Sequence, residues 1–273
     1  MKWIKTYTTE FLLFTKLLLP SLLLMGITSV EASSGIQSMG EAVNIAGRQR
    51  MLSQRIAQSY FLVALRPQSK RGQVQLDRAV SEFERNLKNL RDYKPAESLK
   101  RDLKTVESLW IPYKTLATAS VSKANAQVLF TQSNTLLKSA HAYVGSLEQI
   151  SGTKKAEVIN ISGRQRMLSQ RIAKNFLASH WGLEGDNSTA MLYEDIAEYE
   201  NVLSYLSELE INTPEIQTQL NKVNGQFKYA SKGFDGAMSL SGQRLIHVVT
   251  GTTDSMLRGM NIVTGQYAQL LKD

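Results

Sequence analysis

Asn44-Ile45-Ala46-Gly47-Arg48-Gln49-Arg50-Met51-Leu52-Ser53-Gln54-Arg55-Ile56-Ala57 returns as residues 160–173 with one change, Ala46 to Ser162. Few features constrain a fold as strongly as a repeat of this kind, because each copy must build the same unit. The offset of 116 (Asn44 to Asn160) persists beyond the motif, with Tyr60-Phe61 meeting Phe176-Leu177 and Glu82-Phe83-Glu84 meeting Glu198-Tyr199-Glu200. Leu87 and Leu90 meet Leu203 and Leu206, and Ile111 and Tyr113 meet Phe227 and Tyr229. Near the end the offset becomes 120, where Leu136-Leu137-Lys138 meets Met256-Leu257-Arg258. An insertion of four residues before the last helix accounts for the change. The chain is a duplicated module.

Each copy divides into four helical stretches. In the first they run roughly over 36–66, 70–93, 97–120 and 122–150, with Pro67, Gly72 and Pro95 at the breaks. In the second they run roughly over 154–182, 188–210, 214–235 and 238–271, with Gly182, Gly185 and Asp186-Asn187 marking one break. Thr213-Pro214-Glu215 is a helix start, with a capping hydroxyl, a proline in the first turn and then an acid. Pro112 falls inside a periodic stretch and is expected to kink it. Apolar residues recur at spacings of three and four, as in Val80, Phe83, Leu87 and Leu90, and in Ile196, Tyr199, Leu203 and Leu206. The expected fold is therefore all-α: two tandem antiparallel four-helix bundle modules related by internal duplication. Residues 33–152 hold the first module and 153–273 the second. In an alternative packing the copies fuse along their first helices into one elongated body.

Residues 1–32 read as a signal peptide. Lys2, Lys5 and Lys16 form its basic part, Leu17 to Val30 carry no charge, and Val30-Glu31-Ala32 offers a cleavage site. Cleavage near Ala32 would leave a periplasmic protein. The rival is an N-terminal anchor from Phe11 to Val30 that stays in the inner membrane. Hydrophobic residues make up 42% of the chain, enough for a packed core rather than disorder. The absence of cysteine rules out disulfides, a thiol nucleophile and thiolate metal sites. A net charge of +8 suits an anionic ligand or surface but selects none.

Helical geometry separates the arginines of the motif. Arg48 and Arg50 are two residues apart and face opposite ways, whereas Arg50 shares a face with Ala46, Gly47, Gln54 and Ala57. Arg166 stands likewise with Ser162, Gly163, Gln170 and Ala173. Small residues around an arginine let another backbone approach. One reading is a structural ion pair or a snorkelling side chain. The other is a planar anion site, because a guanidinium presents fixed donors to carboxylate-like or nitrate-like groups. Should the first helices of the two copies pack together, Arg50 and Arg166 would converge about a pseudo-twofold axis, and an anion between them would relieve their repulsion. The candidate ligand residues are Arg50, Arg166, Gly47, Gly163, Gln54 and Gln170, with Arg48, Arg55, Arg164 and Arg171 as secondary candidates.

No catalytic set stands out. His141, His180 and His247 occupy unmatched positions, His141 opposite Asn261 and His247 opposite Thr131, and read as core or surface residues rather than ligands. The repeated Glu82/Glu84 and Glu198/Glu200 flank an aromatic and cannot act on one substrate from opposite sides of a helix. Trp110, Tyr113, Phe227 and Tyr229 read as core, and Lys100-Arg101 through Lys104 as a solvated face. No phosphate loop, Ser-His-Asp set, metal-spaced cluster or cofactor motif is present, so the expectation is a non-enzyme with no cofactor and no metal. Export and the modest charge disfavour nucleic acid.

The string Ile-Asn-x-Ser/Ala-Gly-Arg-Gln-Arg-Met-Leu-Ser-Gln-Arg resembles the N-terminal sensor domain of PilJ-type, type IV pili methyl-accepting chemotaxis transducers. It is similar also to the input domain of nitrate/nitrite sensor kinases, whose first helix carries a related box. The resemblance covers both copies, residues 36–271. In the nitrate sensors the box arginine that meets the anion precedes a methionine, and each subunit of a homodimer gives one; Arg50 before Met51 and Arg166 before Met167 match it. The resemblance thus implies a sensor of a small, nitrate- or nitrite-like anion, built as a dimer on one chain. Around the arginine this sequence has Gly-Arg-Gln-Arg, as PilJ-type domains do and the nitrate box does not. After Asp273 the sequence carries none of the relatives' output regions, so the expected partner is a separate membrane-bound transducer or sensor kinase. The alternative is a ligand-free adaptor that docks onto chemotaxis transducers or type IV pilus machinery.

Overall fold

A computed structural model describes residues 35–93, 97–183, 187–234 and 240–270. The leader expected over 1–32 lies outside the described residues, as do the breaks at Pro95 and Gly185-Asp186. Eight helices follow one another: α1 (Met39–Leu65), α2 (Lys70–Asp92), α3 (Glu97–Ala117), α4 (Lys123–Ser151), α5 (Lys154–Trp181), α6 (Ser188–Ser207), α7 (Pro214–Phe234) and α8 (Gly242–Leu270). The fold is all-α, with no strand among the described residues. No helix among them is long and apolar enough to cross a membrane.

Local chemistry sets the ends. Ser38 starts α1 by accepting from the Glu41 backbone N–H, and Thr153 starts α5 by accepting from that of Ala156. Gly182 ends α5 at φ 63°, a left-handed conformation that costs glycine nothing. Thr213 caps α7 through the Ile216 N–H, with Pro214 in the first turn. Pro112 sits inside α3 on its exposed face, where the carbonyl it cannot pair meets solvent.

The helices pack as two groups of four. α1 lies against α2 and α4, and α3 closes the ring against α4; α5 lies against α6 and α8, and α7 closes against α8. The groups meet along α1 and α5, the largest contact in the protein, and the residues from Gly35 onward form one compact unit. The two central helices run parallel and in repeat register: Gly40 faces Ile159, and Arg55 bonds to Gln170. Both are enclosed on all sides. Every residue from Gln49 to Leu62 is buried except Arg55, as is every residue from Gln165 to Ala178 except Arg171.

The buried stripes correct the repeat register in its second half. Leu103, Val106, Trp110 and Tyr113 on α3 match Leu220, Val223, Phe227 and Ala230 on α7, an offset of 117. Ala126 through Leu147 on α4 match Ile246 through Tyr267 on α8 at 120. The four extra residues therefore enter as one between α6 and α7 and three between α7 and α8, not all before the last helix. Pairing Ile111 with Phe227 and Tyr113 with Tyr229 is thus incorrect: Ile111 is 68% exposed and Tyr229 51% exposed. A slip of one residue turns a helix position by about 100°, which carries it from core to solvent. Trp110, Tyr113 and Phe227 are core, but Tyr229 is not. Phe83 stacks on Trp110 at 4.0 Å, and the equivalent pair Tyr199 and Phe227 stacks at 5.0 Å. His247 faces Gln127 in the repeat rather than Thr131, and accepts from Arg66 at 3.0 Å.

Candidate functional site

Enclosure of α1 and α5 gives every residue of the motif a task. A polar side chain buried on a central helix must find a partner. Gln49 Nε2 donates to the Phe83 carbonyl at 3.1 Å, and Gln165 Nε2 to the Tyr199 carbonyl at 2.9 Å. Ser53 and Ser169 hydroxyls return to the carbonyls of Arg50 and Arg166, each at 2.8 Å. Arg48 pairs with Glu82 at 3.4 Å, and Arg164 pairs with Glu198. The repeated Glu-aromatic-Glu segment thus serves the motif twice, through its first carboxylate and through the aromatic's carbonyl.

Arg55 and Arg171, both half-buried, are also committed. Arg55 meets Asp254 at 2.9 Å and Gln170 Oε1 at 2.8 Å. Arg171 grips Asp195 with Nε at 2.7 Å and with Nη2. Burial pushes the Asp195 carboxyl up, and Arg171 opposes that shift. Gln54 Nε2 donates to the Ser133 carbonyl at 2.9 Å, and Gln170 Nε2 to Ser169 Oγ at 3.3 Å. The four secondary arginines and both glutamines are therefore engaged with protein groups.

Arg50 and Arg166 differ. Each is 1% exposed, and neither has a carboxylate partner among the described residues. Both Nη2 atoms lie 3.2–3.3 Å from where a Gly47 Cβ would stand, and within 3.5 Å of the same point at Gly163. The absence of a side chain at the two glycines is what lets the two guanidinium groups meet. Arg50 Nη2 donates to the Asn160 carbonyl and Arg166 Nη2 to the Asn44 carbonyl, both at 3.3 Å, an exchange that obeys the pseudo-twofold relation. Arg50 Nη1 donates to His141 Nδ1 at 3.1 Å; Arg166 Nη1 donates to Asn44 Oδ1 at 2.8 Å and to Asn261 Oδ1 at 3.5 Å. Both Nε–H groups are buried with no partner.

Electrostatics records the cost. Burial pulls Arg50 from the ordinary guanidinium range down to about 9, with Arg164 adding and Glu148 opposing. Burial does the same to Arg166, also to about 9, with Arg48 and Arg50 adding and Glu82 opposing. Both stay cationic at neutral pH, and Glu148 and Glu82 offset the charges only without direct contact. His141 is held below its ordinary range by burial, Arg50 and Arg164, so its neutral Nδ1 accepts from Arg50.

Four residues around the pair escaped the sequence reading: Asn44, Asn160, His141 and Asn261. The asparagines open the repeated string itself. His141 and Asn261 are repeat partners at offset 120, as the sequence placed them, and their unlike identity hid a shared task, each accepting from a motif arginine. Two different hydrogen-bonding side chains at matched positions was the available signal.

A family model described as "Type IV pili methyl-accepting chemotaxis transducer N-term" (PilJ) matches residues 32–137 and again 151–249, one match on each copy. No curated protein and no solved structure matches the chain.

Proposed function

The chain belongs to the PilJ family of type IV pili methyl-accepting chemotaxis transducer N-terminal domains, and from that premise we propose that it senses or binds a small nitrate- or nitrite-like anion at Arg50 and Arg166 in the periplasm and signals through a separate membrane partner. The observation that carries the reading is two buried guanidinium groups that face each other over Gly47 and Gly163 without a carboxylate. Burial pulls both pKa values well below the ordinary guanidinium range, to about 9, so the fold carries a penalty for each charged form. A protein that needed only packing would be more stable with apolar side chains here. An anion between the two groups relieves that penalty, and each charge-assisted hydrogen bond it accepts contributes roughly 1.5–3 kcal/mol. Two or three such bonds supply the roughly 4–8 kcal/mol of millimolar-to-micromolar affinity. The unpartnered Nε–H groups add donors close to the meeting point.

A thermal-shift screen of the mature protein against nitrate, nitrite, other small anions and amino acids tests this, at constant ionic strength. Arg50→Met, Arg166→Met and Gly47→Ala run beside it. The Gly47→Ala change keeps both charges, gains roughly 1 kcal/mol of helix propensity, and sets a methyl group into the gap. A saturable rise with one anion, lost in all three variants, is the expected result. No response to any compound would leave a ligand-free docking role as the better account.

A further inference from the structure

The pseudo-twofold relation fails on the two flanks of the α1/α5 contact. On one flank α8 is bolted to α1 and α2. Asp254, 3% exposed, accepts from Arg55 at 2.9 Å, Arg71 at 2.5 Å and Gln75 at 2.6 Å, and Arg71 also donates to the Thr250 carbonyl at 3.2 Å. On the other flank the same positions on α4, α5 and α6 hold Asn134, Arg171, Asn187 and Met191. The carboxylate has become an amide, the second arginine an asparagine and the glutamine a methionine. Arg171 turns to Asp195, while buried Lys174 donates to Asn134 Oδ1 at 2.6 Å and holds that side chain. Lys174 ties α4 to α5 here, but among the described residues no carboxylate bolts all three helices together as Asp254 does. In its place lies a cleft of about 250 Å³, lined among others by Lys138, His141, Arg164, Arg171 and Met191.

His141 belongs to the cleft and to the buried pair at once. Its ring lines the cleft, and its Nδ1 takes the Nη1 hydrogen bond of Arg50. On the bolted flank the equivalent Asn261 stands 3.5 Å from Arg166, which Asn44 already serves at 2.8 Å. Lys138 is exposed at the cleft with no ion pair among the described residues, whereas Arg164 and Arg171 are already paired with Glu198 and Asp195. The unpaired charge of Lys138 at the cleft draws anions toward it.

We infer that anions reach the arginine pair from this flank alone, through the α4/α5/α6 cleft, and that His141 is the gatekeeping side chain an arriving anion displaces from Arg50. The inference rests on the anion-site reading above. The arginine pair meets over two glycines between packed helices, so the site would admit a small oxyanion or short carboxylate and reject bulkier ones. His141 is a positioning residue: it sets the rate and selectivity of entry, while Arg50 and Arg166 hold the ligand.

The repeat supplies a matched control. Lys138 and Arg258 are equivalent and both exposed, one on each flank. Line-shape analysis of amide resonances during a nitrate titration of the mature protein gives association and dissociation rates. At low ionic strength Lys138→Glu should slow association three- to tenfold, while Arg258→Glu leaves both rates within twofold. Met191→Trp should slow association and dissociation together with the equilibrium constant held within threefold, which mere structural damage would not do. His141→Ala should speed association. Equal effects of the two charge reversals, or unchanged rates in the Met191→Trp variant, would overturn the entry route alone. A wild-type protein with no nitrate-dependent shift would overturn the anion reading and the route together.

Discussion

At the scale of residues, the proposed role of Arg50 and the stability of the fold pull against each other. Its charge is buried with no carboxylate in contact among the described residues, so in anion-free buffer it destabilises the fold. Its pKa in the folded state, about 9, lies well below the ordinary guanidinium range, so below pH 9 both folded and unfolded states carry the charge and the full cost is felt. As pH rises through 9 the folded state sheds the proton first, the unfolded state then binds more protons, and stability climbs. Denaturant unfolding without added anion should therefore show stability rising between pH 8 and pH 10, and Arg50→Met should flatten part of that slope. The same variant should melt several degrees higher than wild type, since each kcal/mol is worth about 2–4 °C in a chain of this size. A lower melting point with the slope unchanged would mean that Arg50 is compensated after all. Arg166→Met should gain less, because it strands the Asn44 side-chain oxygen that Arg166 now satisfies.

Elements were legible to different depths. Helix number, order and ends followed from apolar spacing, caps and prolines, and Thr213-Pro214-Glu215 starts α7 as its chemistry requires. The central helices were harder, because enclosure on all sides erases the one-sided pattern on which periodicity depends. Their polar residues look like a surface in sequence and are a buried hydrogen-bond network in the fold. The slip to offset 117 was hidden because Ile111 and Phe227, and Tyr113 and Tyr229, make plausible pairs by type, and only burial tells the faces apart. Asp254 was invisible for a different reason: its role depends on Arg71 and Gln75 of the other copy, and its repeat partner is Asn134. Asp254→Ala strands Arg55 and Arg71 at the α1/α2/α8 junction. Breaking a buried pair costs about 3–5 kcal/mol, and since Arg71 reaches solvent the loss should fall at the lower end. Urea unfolding measures it, and a change below about 0.5 kcal/mol would show that the bolt contributes only geometry.

The whole molecule is a pseudo-dimer whose two halves no longer match, and the mismatch has a thermodynamic signature. Arg50 and Arg166 form one meeting point, not two, because Gly47 and Gly163 bring both guanidinium groups to a single place between parallel helices. Titration calorimetry with nitrate should therefore give one anion per chain despite two copies of the motif. On the proposed reading both arginines hold the same ligand, so their contributions should be coupled rather than additive. Arg50→Met and Arg166→Met should each abolish most of the binding free energy, and the double variant should bind no worse than either alone. The double variant should also be the most stable of the three without anion, since it removes both buried charges and their mutual repulsion. Two equivalent sites per chain, or losses that sum, would instead place each arginine in a separate site and leave the meeting of the two copies purely structural.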